Sequence, residues 1–343
     1  MKRLIITLLF CLPMALSPAF GQPLRYWTDG PLTWEDFSRV DTAGCRPFLS
    51  VSWKEQKVLL KEGKTHYEYY RIQTLVNPKS SLVSVEWMTP DELRKQQELF
   101  NLTEWFGRSL RDTLLVPSRP MRDYIREFTV RRKQEGERLL KGSIPPVSLA
   151  QPDPFDIRQV PFRRFRMGIG ASFDAGISFP LSDMVNLTMP LVTVAPSVEL
   201  GWDRFFLGVG MMYGLGRCRE SYVGVRGVGK NGDKVRRLGG GVYPGCRILN
   251  GRDWIVSIFG GPGVTAYYFS SGPVTGACFT EGVRLEYRLH EHLRFGPRPG
   301  AFLYGLRLAF FADQLWSPAR HSFIPSVNVS LGIKVTGYGI QLL

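Results

Sequence analysis

Two periodicities divide this chain near residue 165. In RMGIGASFDAGISF (166–179), Met167, Ile169, Ala171, Phe173, Ala175, Ile177 and Phe179 share one face, with Gly168, Gly170, Ser172, Asp174, Gly176 and Ser178 on the other. Period two over that length predicts a strand long enough to cross a membrane. The pattern returns in VTVAPSVELGW (192–202), FFLGVGMMYGL (205–215) and 324–335, and more weakly at 239–249, 254–268, 277–288 and 293–304. Short polar turns are expected at Asp203-Arg204, Asn250–Asp253 and His290–His292, and longer loops at 180–190, 217–237, 269–276 and 305–322. Eight strands with alternating short and long connections imply an up-and-down antiparallel barrel with both ends on the same side. Pro196, Pro244, Pro262, Pro297, Pro299 and Pro325 interrupt the ladders and mark bulges or strand ends.

The first half has helical spacing instead. In LRKQQELFNLTEWFGRSLR (93–111), Leu93, Leu99, Phe100, Leu102, Trp105, Phe106 and Leu110 recur near period 3.6, and Arg108 and Arg111 suit a C-terminal turn. A charged helix follows at 121–142, ending at Gly142, and a proline-rich linker spans 143–164. The fold class expected is an α+β periplasmic domain, residues 22–142, followed by an all-β, eight-stranded up-and-down antiparallel transmembrane β-barrel, residues 165–343.

The N-terminus supplies the compartment. Lys2 and Arg3 precede a short apolar run (4–16) and small residues near Gly21, so residues 1–21 read as a secretory signal peptide. The 343 residues carry a formal charge of +14. Residues 23–145 hold 21 Lys+Arg against 17 Asp+Glu, and 146–343 hold 21 against 13, so the excess lies in the barrel half. An exported basic surface suits outer-membrane lipid and lipopolysaccharide phosphates, and there is no nucleic-acid motif. Cys45, Cys218, Cys246 and Cys278 permit several pairings, one of them a Cys218–Cys278 bridge at the barrel rim.

Residues 165–343 resemble small outer-membrane β-barrel proteins of didermal bacteria, in pattern more than motif. Their usual terminal aromatic is displaced here, since the chain ends GYGIQLL with Tyr338 as its last aromatic. The inward set Asp174, Glu199, Arg247, Arg284, Glu286 and Lys334 would form an ion-paired plug, because eight strands leave room only for side chains.

LTWEDF (32–37) and SSLVSVEWMTPDELRKQQELFNLTEWFGRSLRD (80–112) resemble a family of predicted secreted zinc-dependent proteases. Gln97, Phe100, Glu104, Phe106, Arg108 and Leu110 fit the frame of its HEQxHF-type helix. That resemblance implies zinc on two histidines one turn apart, with a glutamate polarising the bound water. Here Lys95 and Leu99 occupy the histidine positions and Gln96 the glutamate position, and His66 is the sole histidine of the first half. The resemblance therefore implies a pseudoenzyme without metal or cofactor.

His290 and His292 flank Glu291 without further ligands nearby in sequence. His321 beside Ser322 offers a competing reading, an acyl hydrolase acting on outer-membrane lipid, although neighbours on a strand point to opposite faces. The preferred expectation is a non-catalytic barrel that presents its first domain to a periplasmic or envelope protein partner.

Overall fold

The computed structural model describes residues 23–40, 44, 46–150, 152–181, 188–224, 227–296, 298–317 and 322–343. The chain divides into two units, Met1–Val58 with Tyr69–Ile157, and Leu59–Glu68 with Arg158–Leu343.

In the first unit, β1 (Arg25–Tyr26) pairs with the end of a long hairpin strand, and β2 (Ser38–Arg39) with a short strand further on. The hairpin strands are β3 (Val51–Glu62) and β4 (Thr65–Val76), whose tip, Leu59–Glu68 with its turn at Gly63 (φ 54°), belongs to the second unit, and β5 (Leu82–Val83) is the parallel partner of β2. Helix α1 (Pro90–Thr113) starts where Thr89 accepts the Glu92 amide, with Pro90 at its first position and Asp91 and Glu92 in its first turn. Its inner stripe, Gln96, Phe100, Thr103, Gly107 and Leu110, follows the helical repeat. Phe100 joins Trp27, Leu32, Phe37, Val76 and Val83 in the main core. Helix α2 (Met121–Leu140) crosses α1 where Gly136 leaves space for Leu99, and its end is capped by Gly142 at φ 70°.

The expected linker at 143–164 is largely absorbed into this unit. Ile144 and Val147 pack on Leu102, Phe106 and Leu139, the Ala150 carbonyl accepts from Arg108, and Ile157 is buried. Proline keeps a segment extended, yet its apolar neighbours still gain from covering a helix face.

The second unit contains β6 (Phe162–Pro180), β7 (Leu191–Trp202), β8 (Phe205–Arg217), the short pair β9 (Tyr222–Gly224) and β10 (Gly227–Gly229), β11 (Lys234–Asn250), β12 (Trp254–Phe269), β13 (Gly272–Arg294), β14 (Gly300–Ser317) and β15 (Ser322–Leu342). Antiparallel pairing runs β6–β7–β8–β11–β12–β13–β14–β15, and β15 closes onto β6 from Leu342↔Phe162 to Ser326↔Pro180. This is the closed eight-stranded ring. The described prolines sit inside it at modest cost: on one side of Pro196 and of Pro244 the ladder is interrupted and resumes in the same register.

The alternation read in β6, β7, β8 and β15 holds residue for residue. Ile169, Phe173, Val198, Leu207, Met211, Leu331 and Ile333 are exposed, while Asp174, Thr193, Glu199 and Asn328 are buried inside. Exposed Trp202, Phe205 and Trp254 mark one rim of this apolar belt, and Tyr213, Tyr268 and Trp316 the other.

Three connections fall elsewhere than expected. His290–His292 is no turn but part of β13, just past a bulge between Arg288 and His290 that breaks the period-two pattern. β13 ends at Arg294 and β14 begins at Gly300, so the expected strand at 293–304 covers the end of one strand and the start of the next. The expected loop 269–276 is a tight turn with Phe269 opposite Gly272, and most of 305–322 is β14. There, the inward charges Arg307 and Asp313 and the adjacent Phe310 and Phe311 hide the alternation.

Gly332 faces inward where a Cβ would overlap the Phe173 carbonyl and the Asp174 carboxylate. Gly332→Val should cost about 1–3 kcal/mol through backbone displacement, read as a lower urea midpoint for loss of the folded barrel.

Candidate functional site

The lumen is filled in layers. At the end with the longer loops, Leu191, Cys218, Val235, Tyr267 and Leu315 form an apolar cap. Beneath it Arg237, 1% exposed, donates to Asp313 at 2.5 Å, Ser178 at 2.8 Å and Asn328 at 3.1 Å. Thr280 and Asn328 also donate to Asp313, so its carboxylate is fully engaged. Phe259 and Phe311 meet as a tilted pair deeper in the lumen, ring centroids 6.2 Å apart, and the Arg284 guanidinium lies 3.9 Å over the Phe259 ring. Then comes the main cluster. Arg307 binds Asp174 through Nε and Nη2 and reaches Glu199 at 3.2 Å, and Arg284 also pairs with Glu199. Lys334 bridges Glu199 at 2.5 Å and Glu286 at 2.7 Å. Three carboxylates thus face three cations, and Arg247 donates to the Asp203 carbonyl at 2.7 Å. A void of about 50 Å³ lies beside Asp174, Arg284 and Arg307, and one of about 20 Å³ beside Arg247, Glu286 and Lys334.

All six inward charges named from sequence therefore point into the lumen, and five of them meet in one network. Arg237, Arg307 and Asp313 escaped the sequence reading because they lay in segments taken for loops. Alternation of Arg307 and Asp313 with Leu306, Leu308, Phe310 and Ala312 was the available signal.

A second constellation sits at the rim carrying the short turns. Beyond the start of β12, the edge of β13 takes β4 as a parallel neighbour, with Glu291 to Arg294 opposite Thr65 to Glu68. Lys64 anchors this tip on Asp253 at 2.7 Å and on the Tyr287 hydroxyl at 3.0 Å. The His66 ring stacks on His290 at 5.2 Å and meets His292 edge-on at 6.5 Å, while His290 stacks on Tyr304 at 4.3 Å. No group among the described residues has the arrangement of a metal site.

In the first unit the residues at the zinc positions do not fit the metal. Lys95 is ion-paired with Glu92 on the helix surface, Gln96 is buried, and Leu99 packs toward the main core and Gly136. An ammonium already paired, an amide and an aliphatic chain supply no metal-binding pair. A different face of α1 borders a cavity of about 350 Å³, walled by Trp27, Tyr69 and Phe155 and floored by Glu104, Arg111 and Asp153. Arg111 pairs with Asp153 and lies 3.9 Å over Phe155, Glu104 pairs with Arg108 at 3.0 Å, and the Thr74 hydroxyl on the wall is buried without a partner. Aromatic walls with fixed charges suit a small polar ligand.

No bridge joins Cys218 to Cys278: Cys218 sits in the apolar cap, whereas Cys278 faces the Thr265 hydroxyl. Cys45 and His321 lie outside the described residues, and the side chain of Ser322 does too.

No family model and no curated protein matches this chain. Among solved structures, the neisserial surface protein A is 8% identical, with 50% of this chain and 98% of that chain covered and a TM-score of 0.33. The N-terminal β-barrel domain of Pseudomonas aeruginosa OprF is 10% identical, with 51% and 99% covered and a TM-score of 0.31. The attachment invasion locus protein Ail of Yersinia pestis, in complex with the heparin analogue sucrose octasulfate, is 12% identical, with 50% and 97% covered and a TM-score of 0.26. At such identities and scores they add nothing to the strand ring described above.

Two outcomes are expected. Arg307→Ala strands Asp174 and part of Glu199 in the lumen and should cost about 3–5 kcal/mol in equilibrium unfolding. At the rim, desolvation, followed by His290, Lys61 and His292, pulls the His66 pKa below its ordinary value of 6.5. The docked tip therefore resists protonation; its docking is intact above pH ~6.5 and weakens as pH falls below it. Amide exchange at Thr65–Glu68 should accelerate on acidification, and H66Q should flatten that dependence.

Proposed function

We propose that this is a non-catalytic outer-membrane protein, in which the barrel is an anchor and the first unit a binding module on the periplasmic side. The carrying observation is the combination of an apolar, aromatic-rimmed outer belt with a lumen closed by paired charges. The belt suits a bilayer, and a lumen filled by the described side chains suits anchoring better than conduction. An even strand number brings Phe162 and Leu342 to the same end, opposite each other, so the segment before the barrel belongs to the short-turn side. Short turns are periplasmic in such barrels.

At the other rim, Arg217, Lys234 and Arg236 point outward near Tyr213 and Tyr268, a placement that favours outer-leaflet phosphate groups as lipid partners. For the first unit, the α1 motif frame supports descent from a protease fold, and Lys95, Gln96 and Leu99 support a role other than hydrolysis. The aromatic cavity beside Glu104 and Arg111 is the feature of that unit best suited to recognition.

The test uses the full-length chain in its membrane. The expected result is a band in the outer-membrane fraction that changes mobility on boiling, no stoichiometric zinc in the purified protein, and an unchanged lipid acylation profile in the H321A/S322A variant. An unshifted band in the soluble periplasmic fraction refutes the anchor. Bound zinc, or an altered acyl profile, refutes the non-catalytic assignment.

A further inference from the structure

The lipid-facing belt is broken at one place. Between the aromatic rims, the outward positions of β6, β7, β8, β11, β12 and β15 carry apolar side chains, cysteine, glycine or proline. β13 and β14 differ. Glu281 on β13 is outward and exposed, and Gln314 on β14 is outward and exposed beside it. Glu281 opposes Ala312, and Gln314 opposes Phe279, so the two polar side chains are diagonal neighbours on one face.

The strand register gives the depth. Trp254 opposes Tyr287 at one rim and Tyr268 opposes Pro273 at the other, while Glu281 opposes Gly260, between them. At the rise and tilt of barrel strands this is roughly 15 Å from the first rim and roughly 20 Å from the second, and Gln314 lies two residues inside Trp316 at that second rim. Neither side chain has a hydrogen bond or ion pair among the described residues. A carboxylate and an amide left in hydrocarbon lose their hydration without compensation, and acyl chains offer neither donor nor acceptor. Gly260, Ala277 and Ala312 keep the surroundings low, so another wall could approach closely.

We infer that this face is covered by a second copy of the chain, related by a two-fold axis. The carboxylate accepts and the amide donates, so a surface carrying both is self-complementary. Rotation by half a turn sets Gln314 of each copy against Glu281 of the other and satisfies both polar groups twice over. A direct Glu281–Glu281 contact would repel, which selects the crossed arrangement. The inference rests on the belt facing lipid, as proposed above.

The experiment measures energy transfer between labelled copies of the purified full-length chain in phosphatidylcholine vesicles, at increasing lipid dilution. The wild-type dimer should persist to at least about tenfold greater dilution than the E281L/Q314L variant, whose barrel should remain folded because leucine suits this face. E281Q should retain the dimer, since amides both donate and accept. Wild-type protein that is folded, heat-modifiable and monomeric throughout overturns the inference and assigns the patch to a different membrane partner. Equal dimerisation of E281L/Q314L overturns it as well. A chain that never enters the vesicles as a heat-modifiable barrel overturns the membrane reading itself, a separate outcome.

Discussion

A sheet closed on itself satisfies the backbone donors and acceptors of every strand without leaving an edge. Most of the second unit follows from that closure. The sheet has to close, and it does so along the whole length of β15 against β6. Prolines can be afforded only where a ladder is already interrupted, as beside Pro196 and Pro244. Where β13 outruns β12 at the rim, its free edge does not remain free, because β4 pairs with it from Thr65 to Glu68. The tip of the β3–β4 hairpin, itself part of the second unit, supplies that edge with its partner.

Closure in turn creates the problem that the lumen charges solve. Eight strands enclose a space that water fills poorly, so a lone charge there would be costly. Glu199 meets Arg284, Arg307 and Lys334, while Asp313 is held by Arg237, Thr280 and Asn328. These pairs join strands far apart around the ring, tying its walls together across the interior. On the outside the exposed belt is apolar, and Glu281 with Gln314 stand out because neither has a partner among the described residues.

The barrel was legible where residues obey a single local rule. In β6, β7, β8 and over 324–335 of β15, side chains alternate between the outer face and the lumen, so inward Asp174, Glu199 and Lys334 could be named from position alone. Legibility failed where a second demand overrode the first. The bulge after Arg288 shifts the phase and made His290–His292 look like a turn. In β14, inward Arg307 and Asp313 made a strand look like a loop. The helices α1 and α2 were readable from spacing and caps, yet the burial of Ile144, Val147 and Ile157 was not, because proline-rich composition speaks of backbone conformation and is silent about partners.

The sequence by itself determined the number of ring strands, the apolar belt and most of the inward charges, since each depends on the repeat of a local structure. It also determined that Lys95, Gln96 and Leu99 cannot hold zinc, since that depends on the identity of donor atoms. Tertiary structure alone decided which charges pair, because Arg307 and Asp174 come together only when the ring closes. It alone brought His66 to His290 and His292, and it alone placed Glu281 at mid-belt beside Gln314. Those contacts join residues distant along the chain, and no local periodicity encodes the register that makes them neighbours.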